Sequence, residues 1–401
     1  MTVAFHTCDK QRLKNLSVEL TDELHRNILE PWLAMIDTDA GGFFCHQDQD
    51  GEIAREADKS TLLHARILYS FARAYRVTGV DRYRQAAEHA HRWLVDRAIQ
   101  DDRVVWATDR SGRITDDLNH MYNQGFVIYA LAAWARASGD DSARDQAVHL
   151  WRAVERHAWD ATNGGYLEAF DAGWRSTAND RLCDTEDGIL TAKSMNTHLH
   201  LLEAWTELYR IAPHPDLVRS MEHLLDQLTG PLYDAGEHRF HLFAQSDWTV
   251  HSSSRSFGHD IEGSWLLWEA ARLLSPSVQS RVKPVVMAMC DSVLTGLESS
   301  GPLWNERRAD GSPDKTRTWW VQAEAIVGFV NAFELSGESA WLDRAESVWA
   351  YIQRHQRDPL GDWYWAVSPD NRPDRSHERM GPWKCPYHNS RLCLEVLERI
   401  G

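Results

Sequence analysis

The sequence predicts an all-α protein: a single (α/α)6 barrel of twelve helices, with short β-hairpin-like inserts at one mouth. Three observations predict it. Amphipathic helical patterns recur in pairs along the whole chain. Between successive pairs lies a short turn-rich insert, and its marker residues Phe43, Val105, Tyr166, Phe240, Leu303 and Trp363 recur at about sixty to seventy-five residues, longer than the common solenoid periods. No Ser/Gly-rich linker, low-complexity segment or block of like charge interrupts the chain, so residues 1–401 read as one domain.

The helical patterns run over roughly 10–30, then 61–78 and 82–97, 119–138 and 141–157, 191–211 and 214–228, 259–274 and 278–298, 319–337 and 339–355, and 386–400. After Ser194, for instance, Met195, Leu199, Leu202, Trp205 and Tyr209 fall at three- and four-residue steps. Inserts such as Gly41-Gly42-Phe43-Phe44 run into turns such as Asp48-Gln49-Asp50-Gly51, a hairpin signal. An open superhelix needs polar capping repeats at its ends. Both ends here carry ordinary amphipathic helices, which favours closure. The helices starting near residues 61, 121, 194, 259, 319 and 386 then form the inner ring.

Composition narrows the function. With 43% hydrophobic and 25% charged residues the chain is an ordinary globular sequence, and a net charge of -16 argues against nucleic acid or an anionic membrane as partner. No apolar run approaches the ~20 residues of a membrane span. The first residues lack the basic and apolar regions of a signal peptide, and six cysteines are scattered without C-x-x-C spacing. Both features point to the cytoplasm. Nineteen tryptophans are an excess, and cleft-lining indoles stack on the apolar faces of sugars.

Three strings then suggest one site: Thr197-His198-Leu199-His200-Leu201-Leu202-Glu203, Gly258-His259-Asp260-Ile261-Glu262 and Pro386-Tyr387-His388-Asn389-Ser390-Arg391. Each sets a histidine in the first turns of an inner helix, where its near-neutral pKa suits proton transfer. His200 shares a helical face with Glu203 and His259 with Glu262, so the carboxylates are expected to fix the imidazole tautomers; His388 shares a face with Arg391. His198, two residues from His200, points elsewhere and reads as structural. Arg66 interrupts an apolar helix and either holds a substrate oxygen or sits in a structural ion pair. Tyr122 and Asn123 open the second inner helix, and Asn196 precedes His200 by one turn. Of the adjacent Trp319 and Trp320, one is expected in the core and the other as a sugar platform, with Trp383 before the last helix. Glu324 reads equally as a buried acid paired with Arg66 or Arg391 and as a direct participant. H-E-x-x-H, P-loop and G-x-G-x-x-G patterns are missing, so nucleotide chemistry is unsupported; three histidines on separate helices still leave a zinc site as the rival use.

Lys193-Ser194-Met195-Asn196-Thr197-His198-Leu199-His200, Gly258-His259-Asp260-Ile261-Glu262, Trp319-Trp320-Val321-Gln322-Ala323-Glu324-Ala325 and Trp383-Lys384-Cys385-Pro386-Tyr387-His388-Asn389-Ser390-Arg391 resemble the N-acylglucosamine 2-epimerase superfamily, and within it the cellobiose 2-epimerases, essentially end to end. The resemblance implies an (α/α)6 barrel without metal or nucleotide cofactor, acting on the reducing-end sugar of a β-1,4-linked disaccharide. His259 and His388 match its acid/base pair and His200 its third active-site histidine. Arg66, Tyr122, Asn196, Glu262, Trp320, Trp383 and Arg391 match its substrate-contacting positions. His64, Tyr69 and Gly125 depart from the family pattern near the Arg66 wall and bear on substrate size and on epimer versus ketose as product.

The expected chemistry is ring opening, removal of the C2 proton by a neutral imidazole, a cis-enediolate held by donors such as Arg66, and reprotonation of C2 by a second imidazole, His259 facing His388 across the barrel. The alternative is an isomerase or 2-epimerase acting on free mannose. A glycoside hydrolase would need paired carboxylates, for which Asp187 and Glu262 are available, and a non-catalytic binding protein would lose nothing on replacement of His259 or His388. The expected partner is a small sugar, with the chain a monomer or weak homo-oligomer.

Overall fold

The structure, a computed structural model, describes residues 6–179, 181–182, 191–250 and 253–400. Asp187 lies outside the described residues. The twelve helices of the barrel are α1 (Thr7–Asp22), α2 (Thr61–Thr78), α3 (Asp81–Trp93), α4 (Met121–Ser138), α5 (Asp141–His157), α6 (Met195–Ile211), α7 (Pro215–Leu228), α8 (Phe257–Ala271), α9 (Pro276–Val293), α10 (Trp319–Ser336), α11 (Ala340–Tyr351) and α12 (Tyr387–Ile400). Helix α1 continues through a π-helical stretch, Glu23–Leu29, into a last turn at Glu30–Leu33.

Closure is visible in the packing. Helices α2, α4, α6, α8, α10 and α12 each contact the next, and α12 returns to α2. Of the outer helices, each packs most extensively against one. The inner helices are buried on nearly all sides, as an enclosed ring requires. The outer helices bury one stripe; that of α7 is Leu217, Met221, Leu224, Leu225 and Leu228. Gly79 and Gly337 adopt left-handed backbone (φ 70° and 77°) and end α2 and α10, a conformation costly for other residues.

The helical patterns at 119–138 and 191–211 begin too early. Asn119–His120 and Lys193–Ser194 are two-residue strands, as are Lys59–Ser60, Arg255–Ser256 and Arg317–Thr318 ahead of α2, α8 and α10. Each pairs antiparallel with a strand of the following insert, and a bridge between Gln47 and Met380 completes the circuit at the last helix. Pairing with the neighbouring insert satisfies these backbone groups, so the helices start one step later. Ser60, His120, Ser194 and Ser256 cap the helices that follow.

One turn into each inner helix a buried polar side chain clips the insert. The backbone N–H groups of Phe43, Tyr166, Phe240 and Leu303 donate to His64 Nε2, His198 Nε2, Asp260 Oδ1 and Gln322 Oε1. Asn123 donates to the Val105 carbonyl, and Asn389 reaches the last insert through Asp362. His198 is thus structural: its Nδ1 meets the Ser194 carbonyl at 2.7 Å, and its Nε2 accepts from Tyr166 N–H at 3.0 Å. Replacing His198 with Ala leaves a buried N–H unpaired, and a stability loss of about 1–3 kcal/mol is expected in thermal denaturation.

Candidate active site

Two residues beyond each clip, the side chains of the inner helices turn toward the barrel axis. This follows from the helical period and sorts the site into two layers. Tyr122, Asn196, His259, Trp320 and His388 form the layer nearer the mouth. Three or four residues on, Arg66, His200, Glu262, Glu324 and Arg391 form the deeper one. A cavity of about 330 Å3 is lined by Arg66, Tyr122, Asn196, His200, His259, Glu262, Trp320, Trp383 and His388, together with Asn305, Thr318, Trp319 and Trp365. Trp320 and Trp319 both face it, so neither of the adjacent pair is given over wholly to the core. Trp383 is 37% exposed at the rim.

Arg391 is the one predicted contact residue that the cavity lining omits. It is fully buried beneath the floor. Its Nη1 donates to Glu203 Oε1 and Tyr387 Oη, and its Nη2 to Glu262 Oε1 and, at 2.6 Å, Glu324 Oε1. Three carboxylates converge on one guanidinium, which draws it down and away from the cavity. Glu262, Glu324 and His388 offer donor atoms within 4.8 Å of one another, a spacing a metal accepts. The guanidinium already binds both carboxylates and takes the place of a cation there.

The carboxylates in turn hold two of the three imidazoles. Glu203 Oε2 lies 2.9 Å from His200 Nδ1, as the helical spacing predicts, and both its oxygens accept from Tyr387 Oη at 2.7 and 2.6 Å. Glu324 Oε1 lies 2.7 Å from His388 Nδ1, while Oε2 accepts from Trp265 Nε1 at 3.0 Å. The pairing expected between Glu262 and His259 is absent. Glu262 turns toward Arg391, and His259 Nδ1 meets the Ser256 hydroxyl at 2.8 Å. Nor do His259 and His388 stand on opposite helices: α10 lies between them, and the Trp320 ring touches both, at centroid separations of 4.8 and 5.5 Å.

Burial dominates the electrostatics. It pushes His259 down to about 4, although the Glu262 charge opposes this. It pushes His388 well below the ordinary histidine range against the same carboxylate, with Arg391 and Arg66 adding to the depression. Both imidazoles are therefore neutral at pH 7 with Nε2 available. Burial raises Glu324 despite Arg391, whereas for Glu203 the arginine overcomes burial and holds the carboxyl at about 2.

Arg66, 3% exposed, has no carboxylate partner among the described residues. Its Nη2 donates to Tyr122 Oη at 2.7 Å, and its guanidinium lies 4.4 Å from the Phe126 ring centroid. Arg66 Nε, Asn196 Oδ1 and Glu262 Oε2 are buried without a partner in the protein. A polyol supplies the donors and acceptors such groups need. The sequence reading missed Ser256, Tyr387, Asn305, Thr318 and Trp365. Tyr387 carried a signal, lying four residues before Arg391 on the same helix face. Asn305 and Trp365 lie in inserts, where no period exposes them.

The chain is similar to known proteins in both sequence and fold. Residues 41–390 match the family model described as N-acylglucosamine 2-epimerase (GlcNAc 2-epimerase). A cellobiose 2-epimerase of Bacteroides fragilis is 36% identical over 388 residues, covering 95% of this chain and 98% of that one. One from Ruminococcus albus is also 36% identical, over 386 residues, with coverage of 95% and 98%. The structure of the cellobiose 2-epimerase from Bacillus thermoamylovorans superposes with a TM-score of 0.91 at 33% identity, covering 96% of this chain and 100% of that chain. With a matching barrel, matching length and a family match over residues 41–390, the chain belongs to the N-acylglucosamine 2-epimerase family.

Proposed function

We propose that the protein is a cellobiose 2-epimerase, a carbohydrate isomerase that interconverts glucose and mannose at the reducing end of a β-1,4-linked disaccharide. The observation that carries this reading is the convergence of His200, His259 and His388 on one tryptophan-lined cavity in which Arg66 Nε, Asn196 Oδ1 and Glu262 Oε2 lack protein partners. The similarity to cellobiose 2-epimerases supports the substrate.

The sugar opens to its aldehyde as the O1 hydroxyl loses a proton and O5 gains one; His200, backed by Glu203, is suited to this transfer. The C2–H bond then breaks. Its proton passes to Nε2 of one imidazole, and its electron pair flows through C1 to O1 to give the cis-enediolate, held by Arg66 and Asn196. The carbonyl re-forms as the second imidazole, which has taken up a proton from solvent for this step, delivers it to the other face of C2. The first imidazole returns its proton to solvent, so that the pair is reset. No atoms are gained or lost and only the configuration at C2 inverts. His259 and His388 fill the two imidazole roles. Trp320 and Trp383 supply platforms for sugar faces, and Tyr122 and Glu262 the surrounding polar contacts. Arg391 acts from below by fixing the carboxylates. This reading takes residues 1–401 as one catalytic domain in the cytoplasm, with a small sugar as its partner. No helix among the described residues is long and apolar enough to cross a membrane.

Incubation with cellobiose, followed by separation of the products, is expected to yield glucosyl-mannose, with deuterium at C2 when the solvent is D2O. Release of free glucose would mark a hydrolase, and conversion of free mannose alone would mark a monosaccharide enzyme. Either outcome overturns the reading.

A further inference from the structure

The three imidazoles of the cavity are anchored at Nδ1 by different kinds of group. His200 and His388 meet carboxylates, Glu203 at 2.9 Å and Glu324 at 2.7 Å. An ionised carboxylate only accepts, so each neutral ring carries its proton on Nδ1 and presents a lone pair at Nε2. The same carboxylate stabilises the ring once it takes a second proton. His259 meets the Ser256 hydroxyl instead, at 2.8 Å. A hydroxyl both donates and accepts, so it holds the ring in place with either tautomer and offers no charge to retain an imidazolium.

Serine at this position is not in itself unusual, because Ser60 and Ser194 cap their helices in the same way. The difference is in the histidine. His64 and His198 direct Nδ1 to the backbone carbonyls of Ser60 and Ser194, while their Nε2 atoms clip the inserts. In α8 the clip is made by Asp260, which releases His259, one residue earlier, to face the cavity with its Nδ1 on the serine side chain. Ser256 is itself buried and fixed by the strand pairing that places it opposite Glu306. The charged and titratable groups around His259 are Glu262 on its own helix, His200 from α6 and His388 from α12 across the shared cavity.

We propose that Ser256 is a positioning residue for the epimerisation, holding His259 as the imidazole that changes tautomer and gives up its proton most readily, against a carboxylate-backed His388. This rests on the reading of His259 and His388 as the acid/base pair. The strong burial-driven depression of His259 agrees with it.

The test compares Ser256→Ala, Ser256→Thr and Ser256→Asp with the wild type for cellobiose epimerisation in both directions, with pH profiles and deuterium uptake at C2. Ser256→Ala is expected to lower kcat about tenfold with KM changed by less than about twofold, part of the 10^2–10^4 that a well-placed acid/base group contributes. Ser256→Thr restores kcat. Ser256→Asp keeps a good cap and places a carboxylate on Nδ1, raising the His259 pKa by about one unit or more. The alkaline limb then moves up in the direction in which His259 donates, and the acid limb moves up in the direction in which it accepts. A purely structural serine would change the melting temperature and leave these limbs unmoved. Wild-type pH limbs and C2 exchange in both the Ala and Asp variants overturn the proposal. Absence of C2 exchange in the wild type overturns the acid/base reading instead.

Discussion

Replacement of His388 by Ala is expected to lower cellobiose turnover by about 10^2–10^4-fold in both directions and to abolish deuterium uptake at C2, with the melting temperature nearly unchanged. The magnitude follows from position. His388 is 7% exposed, lines the cavity, and has its Nδ1 fixed by Glu324 at 2.7 Å, so its Nε2 is the ring atom left for substrate. The fold is expected to survive because the ring bears no backbone clip; that task falls to the neighbouring Asn389. Glu324→Gln separates orientation from chemistry. The amide still offers an acceptor to Nδ1 but no charge, so turnover falls less than with His388→Ala. The pH limb of His388 moves down because the imidazolium has lost its nearest anion. Activity of His388→Ala equal to wild type would remove His388 from the reaction. A ring-opened substrate analogue that exchanges C2 normally in His388→Ala would transfer the C2 step to His259 or His200.

Much of this was legible in the sequence because the chain repeats itself. Six markers such as Phe43 and Trp363 and six inner-helix starts are enough to close a ring, and a ring places every helix start at one mouth. His198 and His200 were separable by helical geometry alone. What the period could not deliver was competition between partners. Glu262 lies three residues from His259, yet it turns to Arg391, because three buried carboxylates share one fully buried cation and the Coulomb energy of that arrangement exceeds a local helix contact. The inserts were legible as hairpins but not in detail: two-residue strands such as Lys193–Ser194 read as helix until the partner strand Phe243–Ala244 is in place. Asn305 and Trp365 reach the cavity from such inserts, and no helical spacing announces them.

Arg391→Met is expected to cost about 3–5 kcal/mol, the usual result of removing one partner from a buried ionic cluster, and to lower the melting temperature by roughly 10 °C. The side chain is of similar volume, so the loss is chiefly electrostatic: Glu203, Glu262 and Glu324 are left buried without their shared cation. The pH dependence identifies the cause. In the wild type, burial tends to raise Glu203 but Arg391 holds it at about 2, below its unfolded value. That pairing therefore contributes its full stability above the unfolded carboxylate range and loses it as the pH falls toward 2. In Arg391→Met burial is countered only by the His200 and Tyr387 contacts of Glu203 and the Trp265 and His388 hydrogen bonds of Glu324. The pKa values of these two carboxyls therefore rise, and the penalty is greatest where they are forced to ionise. The melting temperatures of variant and wild type should thus lie furthest apart near pH 8 and converge on acidification toward pH 4. A gap that stays constant over this range would assign the loss to packing, because the guanidinium also lies 4.3 Å from the Tyr387 ring centroid and 4.9 Å from that of Trp265. Turnover falls in either case, since Glu203 and Glu324 hold His200 and His388 and both take their own position from Arg391.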